Sequence, residues 1–171
     1  MSNFQQQALA LAAEQQAPAW LQALRSDGAA RWAAAGWPTR KTELWKYTPL
    51  TPLAQAAPAR WAQASQSGWD AQIERIELDA TTLVFVNGQF DAARSDALPA
   101  GVSLFGSADA AQQALIGQHL GKVVDSQRHL FAALSNAWAA EGVLLHVARG
   151  QKLAKPVYLL NVSTPEAEPA A

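Results

Sequence analysis

Thr81-Thr82-Leu83-Val84-Phe85-Val86-Asn87-Gly88-Gln89-Phe90 is the stretch on which the class of the fold turns. Its first six residues are β-branched, aromatic or aliphatic, the composition that suits a pleated and buried surface. Asn87-Gly88 follows at once. That dipeptide tolerates positive φ at both central positions of a type I′ turn, so the spacing predicts an antiparallel hairpin returning through Gln89-Phe90. Further strands are expected at Val102 to Phe105, at Val143 to Val147, and, after a turn around Gly150, at Val157 to Val162 behind Pro156. The last two carry apolar residues toward both faces, which calls for cover on both sides. The polypeptide instead runs out in Thr164-Pro165-Glu166, so these strands are expected to belong to a larger object.

Around the strands the pattern is helical, which makes the chain an α+β protein. Phe4, Ala8, Leu11 and Ala12 recur at helical spacing behind a Ser2 or Asn3 cap. Pro18 suits a first helical position and opens a second helix with Trp20, Leu21 and Leu24, which Asp27-Gly28 is expected to stop. Residues Ala29 to Ala35 then predict a third helix, closed by Gly36 and Pro38. Thr48-Pro49 reads as the cap and first turn of a short helix, and Ala56 to Gly68 as a loop. Ser107 and Asp109 are placed to cap a helix to about Ile116, with Gly117 ending it. A longer helix is expected between Asp125 and Glu141, with Leu130, Phe131, Leu134 and Trp138 on one face and Gly142 as its left-handed terminator.

Composition narrows the function. The 171 residues carry a net charge of -1, which supplies no field for drawing in phosphate backbones or anionic lipid. Nucleic acid is therefore a poor partner on charge alone. The absence of cysteine removes disulfides, thiolate nucleophiles and cysteine-ligated metal from these residues, and it fits a reducing compartment. Ser2 to Gln16 lacks the basic start and continuous apolar run of a signal peptide, and no segment approaches the ~18 apolar residues of a membrane span. A cytoplasmic, non-membrane protein is expected.

No catalytic arrangement stands out. Gly117-Gln118-His119-Leu120-Gly121-Lys122 has one residue too few between its glycines for a phosphate-binding loop, with Val123 in place of Ser or Thr, and it follows a helix. His119, His129 and His146 have no metal-ligating spacing, and His146 reads as a partly buried histidine in an apolar strand. Trp20, Trp32 and Trp138 fall on helical apolar faces. Trp37, Trp45, Trp61 and Trp69 lie outside them and are candidates either for packing or for an interface. The densest segment is Thr39-Arg40-Lys41-Thr42-Glu43-Leu44-Trp45-Lys46-Tyr47-Thr48. Arg40, Lys41 and Lys46 with Glu43, Trp45 and Tyr47 could cradle an anion, stack a base, or pair internally while the rings pack underneath. The nucleic-acid or anionic-ligand alternative rests on this loop.

The same segment, Thr-Arg-Lys-x-Glu-x-Trp-Lys-Tyr-Thr from Thr39 to Thr48, resembles the SufD family, scaffold subunits of bacterial iron–sulfur cluster assembly. Leu83 to Phe90 and Gly150 to Val157 are similar to the same family. The resemblance implies a helical domain with a β-hairpin over residues 1–142, leading into the first turn of a right-handed parallel β-helix over 143–171. It implies a non-catalytic scaffold role in cluster biogenesis, with no catalytic, cofactor or metal residues in this stretch. It also implies that SufB and SufC are partners of the full-length protein, through regions beyond residue 171. The motif residues Arg40, Lys41, Glu43, Trp45, Lys46 and Tyr47 are then structural or at an interface.

Overall fold

A computed structural model describes residues 1–57 and 75–164, and it bears out a mixture of helices and a few strands. The chain divides by its contacts into a unit of Met1–Ala59 with Phe105–Gly142, and a second unit of Arg60–Leu104 with Val143–Ala171. The hairpin thus groups with the last strands, and the chain passes from the first unit into the second for the last time after Gly142. Most of the loop expected over Ala56 to Gly68, together with Trp61 and Trp69, lies outside the described residues.

The first unit is helical. Helix α1 (Asn3–Glu14) starts on Ser2, whose Oγ accepts the Gln5 N–H at 3.2 Å while Gln5 Oε1 accepts the Ser2 N–H at 2.9 Å, a capping box that satisfies two orphan donors. Pro18 leads into a 3-10 turn (Ala19–Leu21), and α2 (Gln22–Ala34) follows without a break. The stop expected at Asp27-Gly28 and the separate helix from Ala29 are therefore corrected to one helix. Asp27 pairs with Arg31 one turn on, at 2.6 Å. Gly28 is present for closeness: a Cβ there would lie 2.6 Å from Ala137 N and 2.7 Å from Ala133 O. Packing against the helix that carries Ala133 and Ala137 thus outweighs the ~1 kcal/mol that glycine costs a helix interior.

Three further boundaries move. Helix α3 (Thr51–Gln55) uses Pro52, not Pro49, in its first turn. Helix α4 (Ala110–His119) is capped by Asp109 as expected, with Gln112 reciprocating, but it runs through Gly117 and stops at Leu120, before Gly121 at φ 74°. Helix α5 is short (Leu130–Ala137) because Asp125 folds the residues ahead of it into a turn, accepting the Gln127 N–H at 2.8 Å through its carboxylate. Gly142 is not a left-handed cap. A Cβ on it would meet the Phe105 ring at 2.5 Å, so close packing explains the glycine.

Trp32 fills the middle of this unit, fully buried, and donates its indole N–H to Gln5 O at 3.1 Å. Phe4, Ala8, Ala133 and Leu134 complete the core, with Trp37, Phe131 and Trp138 against it. Trp138 donates to Ala8 O at 2.9 Å, and Trp20 meets Phe105 edge-on at 5.5 Å. Arg25 is buried on the same helix face as Leu21, Gly28 and Trp32.

In the second unit, β1 (Thr81–Val86) and β2 (Gln89–Phe90) form the expected hairpin, with Phe85 opposite Phe90 and Val86 opposite Gln89. Asn87 at φ 49° and Gly88 at φ 81° give the two positive angles of the turn. β5 (Val157–Val162) lies parallel to β1 on its other side, in register from Thr81↔Val157 to Val86↔Val162. Beyond the two-residue β2, side chains take over the β1 edge: Ser95 Oγ accepts the Val84 N–H and Asp96 Oδ2 the Thr82 N–H, both at 2.8 Å. A separate antiparallel pair joins β3 (Val102–Leu104) to β4 (Val143–Leu145). Val84, Val86, Leu160 and Val162 pack on one face of the larger sheet, and Leu83 and Phe85 with Val102 on the other. Leu145, Val147 and Leu159 stay exposed, so part of the apolar surface of the last strands is left uncovered.

Candidate functional site

The segment singled out by sequence, Thr39 to Thr48, folds as a run of tight turns. Thr42 N–H bonds Thr39 O at 2.9 Å, Trp45 N–H bonds Thr42 O at 2.9 Å, and Thr48 N–H bonds Trp45 O at 3.1 Å. Its threonines stiffen the first turn: Thr42 Oγ1 accepts the Thr39 N–H at 3.1 Å, and Thr39 Oγ1 accepts the Lys41 N–H at 3.2 Å. Short-range side-chain bonds of this kind are what favour turns over helix at Ser and Thr. Glu43–Trp45 forms a 3-10 turn continued by Lys46. Residues three apart eclipse in such a turn, which puts Glu43 and Lys46 on one side and leaves Leu44 and Trp45 on the other two.

The side of Trp45 faces the core. Trp45 is half-buried and meets Phe131 edge-on at 5.4 Å; Phe131 in turn lies 5.8 Å from Trp32 and 6.4 Å from Trp37. Offset and edge-on ring pairs at these separations are each worth about 0.5–1.5 kcal/mol beyond their buried area. Trp37 and Trp45 are accordingly packing residues in this fold. The other two sides are open. Arg40, Lys41, Glu43, Leu44, Lys46 and Tyr47 are all exposed, with Tyr47 at 87% and Leu44 at 56%. Lys46 Nζ stands 5.3 Å from the Tyr47 ring centroid. Among the described residues, the side chains of Arg40, Lys41 and Glu43 make no ion pair.

Two features were missed in the sequence. One is Leu44, the apolar neighbour of Tyr47, which the reading of this segment as a basic and aromatic loop passed over. The other is Arg25, whose Nη2 donates to Ala12 O at 2.6 Å and Gln15 O at 3.2 Å, and whose Nη1 donates to Ala139 O at 2.8 Å. Burial pushes its pKa down, and its partners are carbonyls at the C-terminal ends of α1 and α5, where helix dipoles favour a cation. Its position at 25, between Leu21, Gly28 and Trp32, was the available signal. An open cleft between α1 and α2 includes Leu9, Gln16, Gln22, Ser26 and Arg25, but both terminal guanidinium nitrogens are already committed to carbonyls.

The three histidines are all exposed. His146 is exposed and lies just past β4, a correction to the partly buried strand position expected, and it donates its backbone N–H to Gly101 O at 2.8 Å. His119 and His129 are exposed at the end of α4 and the start of α5. Among the described residues, no three His, Asp or Glu side chains gather in a way that could hold a metal ion, and no helix is long and apolar enough to cross a membrane.

Comparison with known proteins gives concordant results. Residues 1–159 match the family described as the SufBD protein N-terminal region. The chain is 33% identical over 130 residues to a protein of Escherichia coli (strain K12) named iron-sulfur cluster assembly protein SufD. That match takes in 75% of this chain and 28% of the relative, so the chain spans little more than a quarter of the protein it resembles.

Proposed function

This chain belongs to the SufBD family, through that family's N-terminal region, and from that footing we propose that it serves iron–sulfur cluster assembly as the N-terminal part of a SufD-like scaffold. The observation that carries the reading is the match over residues 1–159, together with 33% identity to a protein named for that process. The role is non-catalytic and cytoplasmic. The cluster is cargo, and a segment with no cysteine contributes shape and contacts, with the thiolate chemistry of cluster handling left to other chains or other regions. SufB and SufC are its partners in the complete assembly, through regions outside these residues.

The strands lead into a right-handed parallel β-helix. Supporting this are the strict parallel register of β1 and β5 over six residues, the burial of β1 on both faces, and the exposed Leu145, Val147 and Leu159.

A replacement experiment tests the reading. The matching region of E. coli SufD is exchanged for this chain in a strain lacking its own SufD and grown under iron limitation. Recovery of iron–sulfur enzyme activity is the expected result. A soluble, folded chimera that restores none would overturn the assignment.

A further inference from the structure

We infer that the turn from Arg40 to Tyr47 is a docking surface for an acidic protein segment, one that sets carboxylates against Arg40, Lys41 and Lys46 and an apolar side chain against Leu44 and Tyr47. The inference goes beyond the scaffold assignment and rests on the geometry of this turn alone.

Three observations lead to it. The first is local charge: Thr39 to Thr48 holds three of the chain's thirteen Lys and Arg but one of its fourteen Asp and Glu, so a positive patch stands on a chain that is otherwise negative. The second is that two of these charges are unspent among the described residues. Arg31, Arg94 and Lys155 are paired with Asp27, Asp91 and Asp79, whereas Arg40 and Lys41 have no carboxylate partner among the described residues. The third is the apolar component. Leu44 and Tyr47, three residues apart in this turn, are 56% and 87% exposed, and Lys46 Nζ stands near the Tyr47 ring. Tyrosine and arginine are enriched at binding hot spots, and a rigid aromatic gives contact area at small entropic cost.

The same geometry disfavours nucleic acid. A single strand needs successive ring faces on which bases stack; Trp45 is turned inward onto Phe131, which leaves only Tyr47. Glu43 stands between Lys41 and Lys46 in the sequence and repels a continuous line of phosphates, while an acidic peptide can place its carboxylates on either side of it. Leu44 has no role in holding a phosphate backbone, but it suits a protein side chain. The turn is also held before any partner arrives, through its threonine bonds and the Trp45 contact, so little ordering is lost on binding.

A random-peptide phage library panned against the chain, and in parallel against an Arg40→Glu/Lys41→Glu variant, tests the inference. All six side chains on the open sides are exposed, so the variant should melt where the parent does; if it does not, Arg40→Gln/Lys41→Gln takes its place under the same criterion. The expected result is a set of peptides with Asp or Glu flanking an aliphatic or aromatic residue, whose affinity falls about tenfold or more on the variant and severalfold on Tyr47→Ala. The inference is overturned by recovered peptides without acidic excess, by peptides that bind parent and variant alike, or by no enrichment above background. Oligothymidylate bound more tightly than the best peptide would overturn it too. None of these outcomes bears on whether the chimera supports cluster assembly, so the two readings fail separately.

Discussion

Replacing Arg25 with Met should destabilise the helical unit more than any exposed substitution, and the magnitude can be built from its contacts. The guanidinium holds Ala12 O at 2.6 Å, Ala139 O at 2.8 Å and Gln15 O at 3.2 Å, with a weaker contact to Gln15 Oε1 at 3.4 Å. Methionine retains most of the aliphatic volume but leaves these acceptors without a donor. A buried polar group left unpaired costs about 1–3 kcal/mol. Gln15 is only half-buried, so water replaces part of its loss, and the stranded acceptors together cost ~4 kcal/mol at the low to middle of that range. Against this, a buried cation with no carboxylate partner carries a desolvation penalty that Met does not, and ~1–2 kcal/mol is a reasonable recovery. The net is a loss of about 2–3 kcal/mol, or roughly 5–10 °C in melting temperature for a chain of this size. Lysine keeps the charge but not the fork that reaches both helix ends, so Arg25→Lys should fall between Met and wild type. Thermal melting followed by circular dichroism, with urea midpoints as a check, measures all three proteins. If Arg25→Met melts within about 2 °C of the parent, the view of Arg25 as the staple of the α1 and α5 ends is refuted.

Two further substitutions test other joints. Gly28→Ala improves helix propensity by ~1 kcal/mol in isolation, yet its Cβ would stand 2.6 Å from Ala137 N, so a net loss of about 1–3 kcal/mol in a urea titration is expected from overpacking; a more stable variant would mean that α2 and α5 are not in close contact. Gly88→Val places a β-branched residue at φ 81° and should cost about 2 kcal/mol, with hydrogen exchange rising first in β1 and β2; unchanged exchange there would remove the type I′ turn as the element that sets the hairpin register.

The hairpin and the first helix were legible in sequence because each is decided by neighbours a few residues apart. Asn87-Gly88 carries its own backbone angles, and Ser2 with Gln5 closes its own cap. The errors fall where a distant partner decides. Asp27-Gly28 has the composition of a stop, but Gly28 is placed there by α5, more than a hundred residues away in the chain. Gly142 and Gly117 look like terminators in a local window; the first is small to admit Phe105 and the second sits in the interior of a helix whose end is set at Leu120. The pairing of β5 with β1, across some seventy residues, left no local trace, and neither did the use of Ser95 and Asp96 side chains in place of a strand. At the candidate site, sequence located the segment and its charges. It could not say that Trp45 turns inward and Tyr47 outward, because that depends on where Phe131 lies.

That inward turn separates two jobs within one short motif. Thr39, Thr42 and Trp45 use their polar or aromatic groups on the protein itself, through two threonine bonds and the contact with Phe131. Arg40, Lys41 and Leu44 use theirs on nothing described, and Tyr47 only on its neighbour Lys46, although they occupy the same ten residues. Were the segment only a connector between α2 and α3, the first set would be sufficient to shape it, and the exposed positions could be any polar residues a turn accepts. Exposed Leu and Tyr beside unpaired cations add nothing to the stability of the turn, since solvated charges contribute little and exposed apolar area is unfavourable in water. The physical use left for them lies outside the described residues, and the proposed partner is a surface that supplies carboxylates and covers the two apolar side chains.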